Sequence, residues 1–196
     1  ALANIDSYTV SGHKIHAPKG VGALYLRRGC SIQPPYLGGG QERGIRPGTE
    51  NVPYAVGLGV AAGRLAGDIP ARAAAAAGLN ARLRAGLAAI PGVLLNSPED
   101  AVPQVLNLSL GAGRPRSETM LHFLEARGVY VSSGSACSKG AASHTLMAMG
   151  LPAGRIDTAL RVSFCADNTA ADVDALLEGL EAGLKSLQAN RGRHRG

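Results

Sequence analysis

The sequence has no tryptophan, few aromatic side chains (five Tyr and two Phe) and only three cysteines in 196 residues. So few rings make a poor stacking platform for single-stranded nucleic acid. Cys30, Cys137 and Cys165 are too few and too scattered for a disulfide scaffold, and no Cys-x-x-Cys pair marks a zinc ribbon. No histidines or acids stand at metal-ligand spacing, so no metal is expected. No run approaches the roughly 20 uncharged apolar residues that span a bilayer. Residues Ala1 to Tyr8 lack the basic-then-apolar order of a secretion signal. Acids are also scarce, 14 against 20 Lys and Arg, for a net charge of +6. Most of that excess is dispersed arginine. The one dense cluster, Arg191-Gly192-Arg193-His194-Arg195-Gly196, reads as a solvated tail and not as a nucleic-acid patch. These absences point to a reducing, cytoplasmic setting with neither membrane nor nucleic-acid partner.

What is present is an ordinary globular alphabet, 45% hydrophobic and 17% charged, long enough to bury a core. Ile5 to Val10 alternates apolar and polar, as a strand does, and Ser11-Gly12-His13-Lys14 follows as a turn. Gly20 to Arg27 reads as a second strand. Gly38 to Gly48 is a loop. Asn51 to Leu65 reads as a helix with Pro53 in its first turn, broken by Gly67-Asp68-Ile69-Pro70. Ala71 to Ile90 is a long alanine-rich helix ended by Pro91-Gly92. Strands follow at Val93 to Asn96 and Gln104 to Leu110. A helix runs from a capping Ser117 to Arg127, and Val129 to Val131 is a short strand feeding the loop Ser132 to Ser143. A short helix over His144 to Met149, a strand over Ala159 to Phe164 and a helix over Thr169 to Gln188 complete the chain. Strands and helices alternate, so the class is α/β or α+β. The expected division is residues 1–70, then a compact unit over 71–190, then a basic unstructured tail over 191–196.

Four groups stand out chemically. Lys14, at a strand end beside Ser11 and His13, suits bond formation with a carbonyl if its setting is partly dry, and its neighbours suit an anion such as phosphate. Cys137 sits among small polar residues with Lys139 nearby, a setting for an exposed, reactive thiolate or for an incidental loop cysteine. Arg161 lies inside an apolar strand and needs a partner, either a ligand carboxylate held bidentately or an acid of its own chain such as Asp157 or Asp167. Thr49 precedes a helix N-terminus, where an oxyanion is comfortable. His122 and His144 read as core or capping residues.

Taken together, these segments resemble a known family. Ser11-Gly12-His13-Lys14-Ile15-His16-Ala17-Pro18-Lys19-Gly20-Val21-Gly22 closely resembles the lysine segment of cysteine desulfurases of the nitrogen-fixation and iron–sulfur-assembly type, which are class V aminotransferase-like enzymes. Gly38-Gly39-Gly40-Gln41-Glu42-Arg43-Gly44 through Gly48-Thr49-Glu50-Asn51 resembles the next block. Ser132-Ser133-Gly134-Ser135-Ala136-Cys137-Ser138 resembles the catalytic cysteine loop, and Leu160-Arg161-Val162-Ser163 the substrate-arginine strand. The four blocks keep the family's order.

The resemblance implies a fold-type I architecture, here the end of the large domain followed by the small C-terminal domain. It implies pyridoxal 5'-phosphate as cofactor, with Lys14 as its covalent anchor and Ser11 and His13 on its phosphate. Thr49 would reach a partner subunit's phosphate in a homodimer. Arg161 would hold the carboxylate of L-cysteine. Cys137 would take the sulfur as a persulfide, leaving L-alanine, and pass it to an acceptor protein, either an iron–sulfur scaffold or a thiolation carrier. Selenocysteine lyase is the neighbouring chemistry, and a truncated, non-catalytic partner-docking domain the reading from another class. Family members are about twice this length. The upstream half carries the histidine that stacks on the cofactor ring, the aspartate at its pyridine nitrogen and a glutamine near its phenolic oxygen, so this chain alone is expected to hold the cofactor weakly. Cys165 stands where the family usually has glycine.

Overall fold

The computed structural model describes residues 4–133 and 143–193, with side chains up to residue 187. Cys137 lies outside the described residues. The chain divides into two compact units, Ala1–Ile69 and Pro70–Gly196.

The first unit is built on an antiparallel ribbon. Strand β1 (Ser7–Ser11) pairs with β2 (Gly22–Leu26), with Ser7 opposite Leu26 and Ser11 opposite Gly22. A single 3-10 turn, Gly12–Ile15, follows β1. Helix α1 (Val52–Ala66) begins as its sequence predicts: Asn51 Oδ1 accepts the Tyr54 N–H at 3.3 Å, and Pro53 sits in the first turn. Little of this unit is buried. Gly12 and Ala17 are the buried residues among those described, and α1 buries none.

The second unit carries the core. Helix α2 (Ile69–Ala88) starts two residues before the expected Ala71, because Pro70 is tolerated in a first turn and the break shrinks to Gly67-Asp68. Strands β3 (Leu94–Leu95), β4 (Val105–Ser109) and β5 (Ala159–Ser163) form an antiparallel sheet with β4 in the middle. Along β4, Leu106 and Leu108 are buried while Val105 and Asn107 are half-buried, the period-2 alternation of a strand with one face covered. The cover comes from Leu83 and Leu87 of α2, from Met120 and Leu124 of α3 (Ser117–Glu125), and from Val173, Leu176, Leu180 and Leu184 of α6 (Ala170–Arg193), all in one cluster with the sheet. The α3–α6 approach depends on Gly183, where a Cβ would lie 2.6 Å from Met120 Sδ. Helices α4 (His144–Ala148) and α5 (Ala153–Ile156) pack through Leu146 and Ile156 with Ala159.

Several expectations are corrected. Val129 to Val131 forms no strand; pairing begins one residue later, at Ser132, which bridges to Arg161. Ser117 is not the cap of α3 but its first helical residue, buried, with its N–H donated to Asp157 O at 2.9 Å. A tertiary acceptor there replaces the side-chain cap. Helix α6 continues through Arg193, past the expected end at Gln188. His122 is neither core nor cap: its side chain is exposed beside Glu125. His144 opens α4, exposed, while Ser143 caps that helix by accepting the Leu146 N–H.

Candidate functional site

The lysine turn is shaped by one glycine. Gly12 donates its N–H to Val21 O at 2.9 Å, and a Cβ at this position would lie 2.7 Å from that same oxygen. No other residue fits so close to the neighbouring backbone. The chain therefore turns at Gly12, and His16, in the left-handed region at φ 64°, closes the turn by donating its N–H to Gly12 O. Ser11, His13 and Lys14 are brought together on this turn within four residues, and all three are exposed. The turn expected over Ser11 to Lys14 is present, while the partly dry setting that would favour Lys14 chemistry is not supplied by the described residues. Lys14 lies in the 3-10 turn beyond the strand.

Thr49 is exposed, two residues before the Asn51 cap of α1. The loop before it is clasped by a side chain that sequence reasoning missed: Gln41 Oε1 accepts the Gly48 N–H at 3.2 Å. A glutamine seven residues from its donor leaves no periodic signal.

In the second unit, Arg161 occupies the middle of β5, opposite Asn107 of β4. On its other side it pairs with Ser132: the Arg161 N–H donates to Ser132 O at 2.6 Å, and the Ser132 N–H donates to Arg161 O at 3.1 Å. Its Nη2 donates to Ser132 Oγ at 3.4 Å. Its Nε is buried and has no partner among the described residues. No carboxylate among them pairs with Arg161, so the expected alternative of an ion pair with Asp157 or Asp167 is not formed. A half-buried guanidinium without an internal acid is suited to an external carboxylate. Cys165, half-buried just past β5, donates its backbone N–H to Asn168 Oδ1 at 2.8 Å, and Cys30 is exposed.

The family profile for class V aminotransferases matches residues 2–176. The chain belongs to this family. It is 41% identical to a cysteine desulfurase of Gluconacetobacter diazotrophicus, over 94% of this chain and 48% of that protein. It is 42% identical to cysteine desulfurase IscS of Clostridium botulinum, over 90% of this chain and 46% of that protein. Among solved structures, a NifS-like protein superposes with a TM-score of 0.82 at 35% identity, covering 91% of this chain and 46% of that one. The cysteine desulfurase CsdA of Escherichia coli gives 0.76 at 27%, covering 92% and 46%. The chain spans about half the length of the curated relatives it matches. The fold is therefore that of the class V, pyridoxal-phosphate-dependent enzymes.

The residues present fit that cofactor. Its phosphate needs donors and its aldehyde needs an amine. Ser11, His13 and Lys14 supply a hydroxyl, an imidazole and an amine on one exposed turn. None of the three side chains hydrogen-bonds or ion-pairs among the described residues, so this donor set is free for a ligand.

Proposed function

We propose that this chain carries the lysine anchor, the carboxylate-binding arginine and the sulfur-carrying cysteine of a cysteine desulfurase that converts L-cysteine to L-alanine. The observation that carries the reading is 41–42% identity to named cysteine desulfurases over nine-tenths of the chain or more. The free donor set at Ser11, His13 and Lys14 and the acid-free Arg161 agree with it.

When bound, pyridoxal 5'-phosphate supplies an electron sink for the carbanion formed at the substrate Cα. The chain's own residues do the rest. Ser11 and His13 would donate hydrogen bonds to the phosphate. Thr49 would offer its hydroxyl to the phosphate site of a second subunit, making the working unit a homodimer. Lys14 would hold the cofactor covalently and would move the substrate Cα proton. Arg161 fixes the substrate by its carboxylate, which aims the sulfur. The Cys137 thiolate attacks that sulfur. A sulfur–sulfur bond forms as the Cβ–sulfur bond breaks, the bonding pair stays with carbon, and L-alanine is complete once one proton has joined Cβ and another has returned to Cα. The persulfide on Cys137 then passes its outer sulfur to an acceptor protein, an iron–sulfur scaffold or a thiolation carrier, in a cytoplasmic setting.

The test is covalent trapping. The chain is mixed with pyridoxal phosphate, reduced with borohydride, and the adduct mapped by mass. A single adduct on Lys14 is expected; a single adduct on Lys19 instead overturns the assignment, and labelling spread over the lysines shows that the chain alone does not select the cofactor. In the assembled enzyme, Cys137→Ala should abolish sulfide release and keep the cofactor's visible absorbance. Sulfide release that survives the substitution removes Cys137 from its role.

A further inference from the structure

We infer that Ser132 is a positioning residue for Arg161 and the second hydrogen-bonding group for the carboxylate of the amino-acid substrate. The inference rests on reading Arg161 as the carboxylate anchor. Two backbone bonds, 2.6 and 3.1 Å, make Ser132 and Arg161 a directly opposed antiparallel pair. Residues so opposed place their Cβ atoms on one face, roughly 4.5–5.5 Å apart. The serine Oγ is thereby held beside the arginine side chain, where it accepts from Nη2 at 3.4 Å. Arg161 has β4 on its other flank through Asn107, so its backbone is fixed from both sides.

The guanidinium itself has several rotatable bonds and, among the described residues, no acid to hold it. The Ser132 hydroxyl is the side-chain contact that orients it among the described residues. Orienting it in advance lowers the ordering cost of binding. A serine hydroxyl that accepts through oxygen still has its proton to donate, and among the described residues that proton has no acceptor. A carboxylate reaching Arg161 therefore meets guanidinium N–H groups and an adjacent O–H. The backbone bridge needs no hydroxyl, so Ser132→Ala removes the orienting contact and leaves the strand pairing in place. Ser132→Thr restores the hydroxyl on a residue that favours extended chain.

The chain is labelled with 15N-arginine, and the Arg161 side-chain resonance is assigned by its loss in Arg161→Lys. It is then titrated under reducing conditions with L-cysteine and with cysteamine, which lacks the carboxylate. L-cysteine should shift the Arg161 resonance and cysteamine should not. Ser132→Ala should raise the apparent dissociation constant about tenfold, the size of one hydrogen bond to a charged group, and Ser132→Thr should restore it. In the cofactor-loaded enzyme the same factor should appear in KM, with kcat little changed. If wild-type Arg161 responds and Ser132→Ala titrates like it, the inference falls and the reading of Arg161 stands. If wild-type Arg161 ignores L-cysteine, both fall.

Discussion

The two units are written in the same apolar alphabet and use it in opposite ways. In Pro70–Gly196 the leucines of β4, β5, α2, α3 and α6 close on one another, and Leu83, Leu106, Leu108 and Leu180 have no exposed surface. In Ala1–Ile69 the apolar positions have the right periodicity and, among the described residues, little cover. Val52, Val56 and Val60 lie along one stripe of α1 and are 53–61% exposed, and β1 and β2 are exposed along nearly their whole length. A two-stranded ribbon by itself is marginal in water. The difference teaches that periodicity specifies which face is apolar, whereas burial requires a second apolar face. The unit that holds Lys14 and Thr49 draws little stability from its own side chains; the unit that holds Arg161 is anchored by a core.

The largest effect should come from testing that contrast directly. Leu160→Ala, at a buried site in β5, should cost about 2–5 kcal/mol in a urea unfolding curve, the range for truncating a buried leucine. Val56→Ala, on the open stripe of α1, should stay within about 0.5 kcal/mol, as surface changes do. Equal costs would show that the α1 face is covered in solution, and the contrast would fail. Native-state hydrogen exchange sharpens the point. Amides of β4 and β5 should exchange only through global unfolding, and those of β1 and β2 through far less costly local opening.

A smaller and more local effect is expected at Gly12. Gly12→Ala drives a methyl group to 2.7 Å from Val21 O, so the backbone must part there. The N–H to Val21 O bond should lose its protection and the borohydride adduct at Lys14 should diminish, while the urea midpoint of the second unit should not move. A normal adduct would show that the turn tolerates the change and that its geometry does not set the lysine.

How much of this was legible in the sequence follows the same division between local and tertiary causes. The helices α1, α2, α3 and α6 were legible because periodicity and breakers are local. So was the turn at Gly12, and so was the presence of an arginine within an apolar strand. The misreadings share one origin. Ser117 looks like a cap until Asp157 O takes its N–H. Val129 to Val131 looks like a strand, but pairing depends on where Arg161 lies, and that selects Ser132. The contact between Ser132 and Arg161 spans 29 residues of sequence, and no local pattern encodes it. The exposure of Lys14 was also beyond reach, since a lysine on a turn is dry only if other chain covers it.

The smallest effect lies at the rim of the second unit. At the start of α6, Asp172 Oδ2 accepts the Thr169 N–H at 2.8 Å and the Asn168 side-chain amide at 3.3 Å, and Asn168 Oδ1 in turn accepts the Cys165 N–H. These bonds, the Thr169 N–H foremost and Asn168 next, hold the Asp172 carboxyl below its ordinary value. A carboxylate depressed in this way contributes stability that is fully present above about pH 3.9, its unfolded value, and that is lost as pH falls through the lower folded value. Solvent screens the exposed group, so the effect is slight. Asp172→Asn should flatten the acid limb of the Tm-against-pH curve and leave the curve unchanged near neutrality. Because Val173 and Leu176 follow at once and are buried in the core, protonation should fray the first turn of α6 and go no further. If instead the β4 and β5 amides lose protection in step with Asp172 titration, the core is not independent of its rim, and the contrast between a core-anchored unit and an open one would have to be redrawn around the α6 N-terminus.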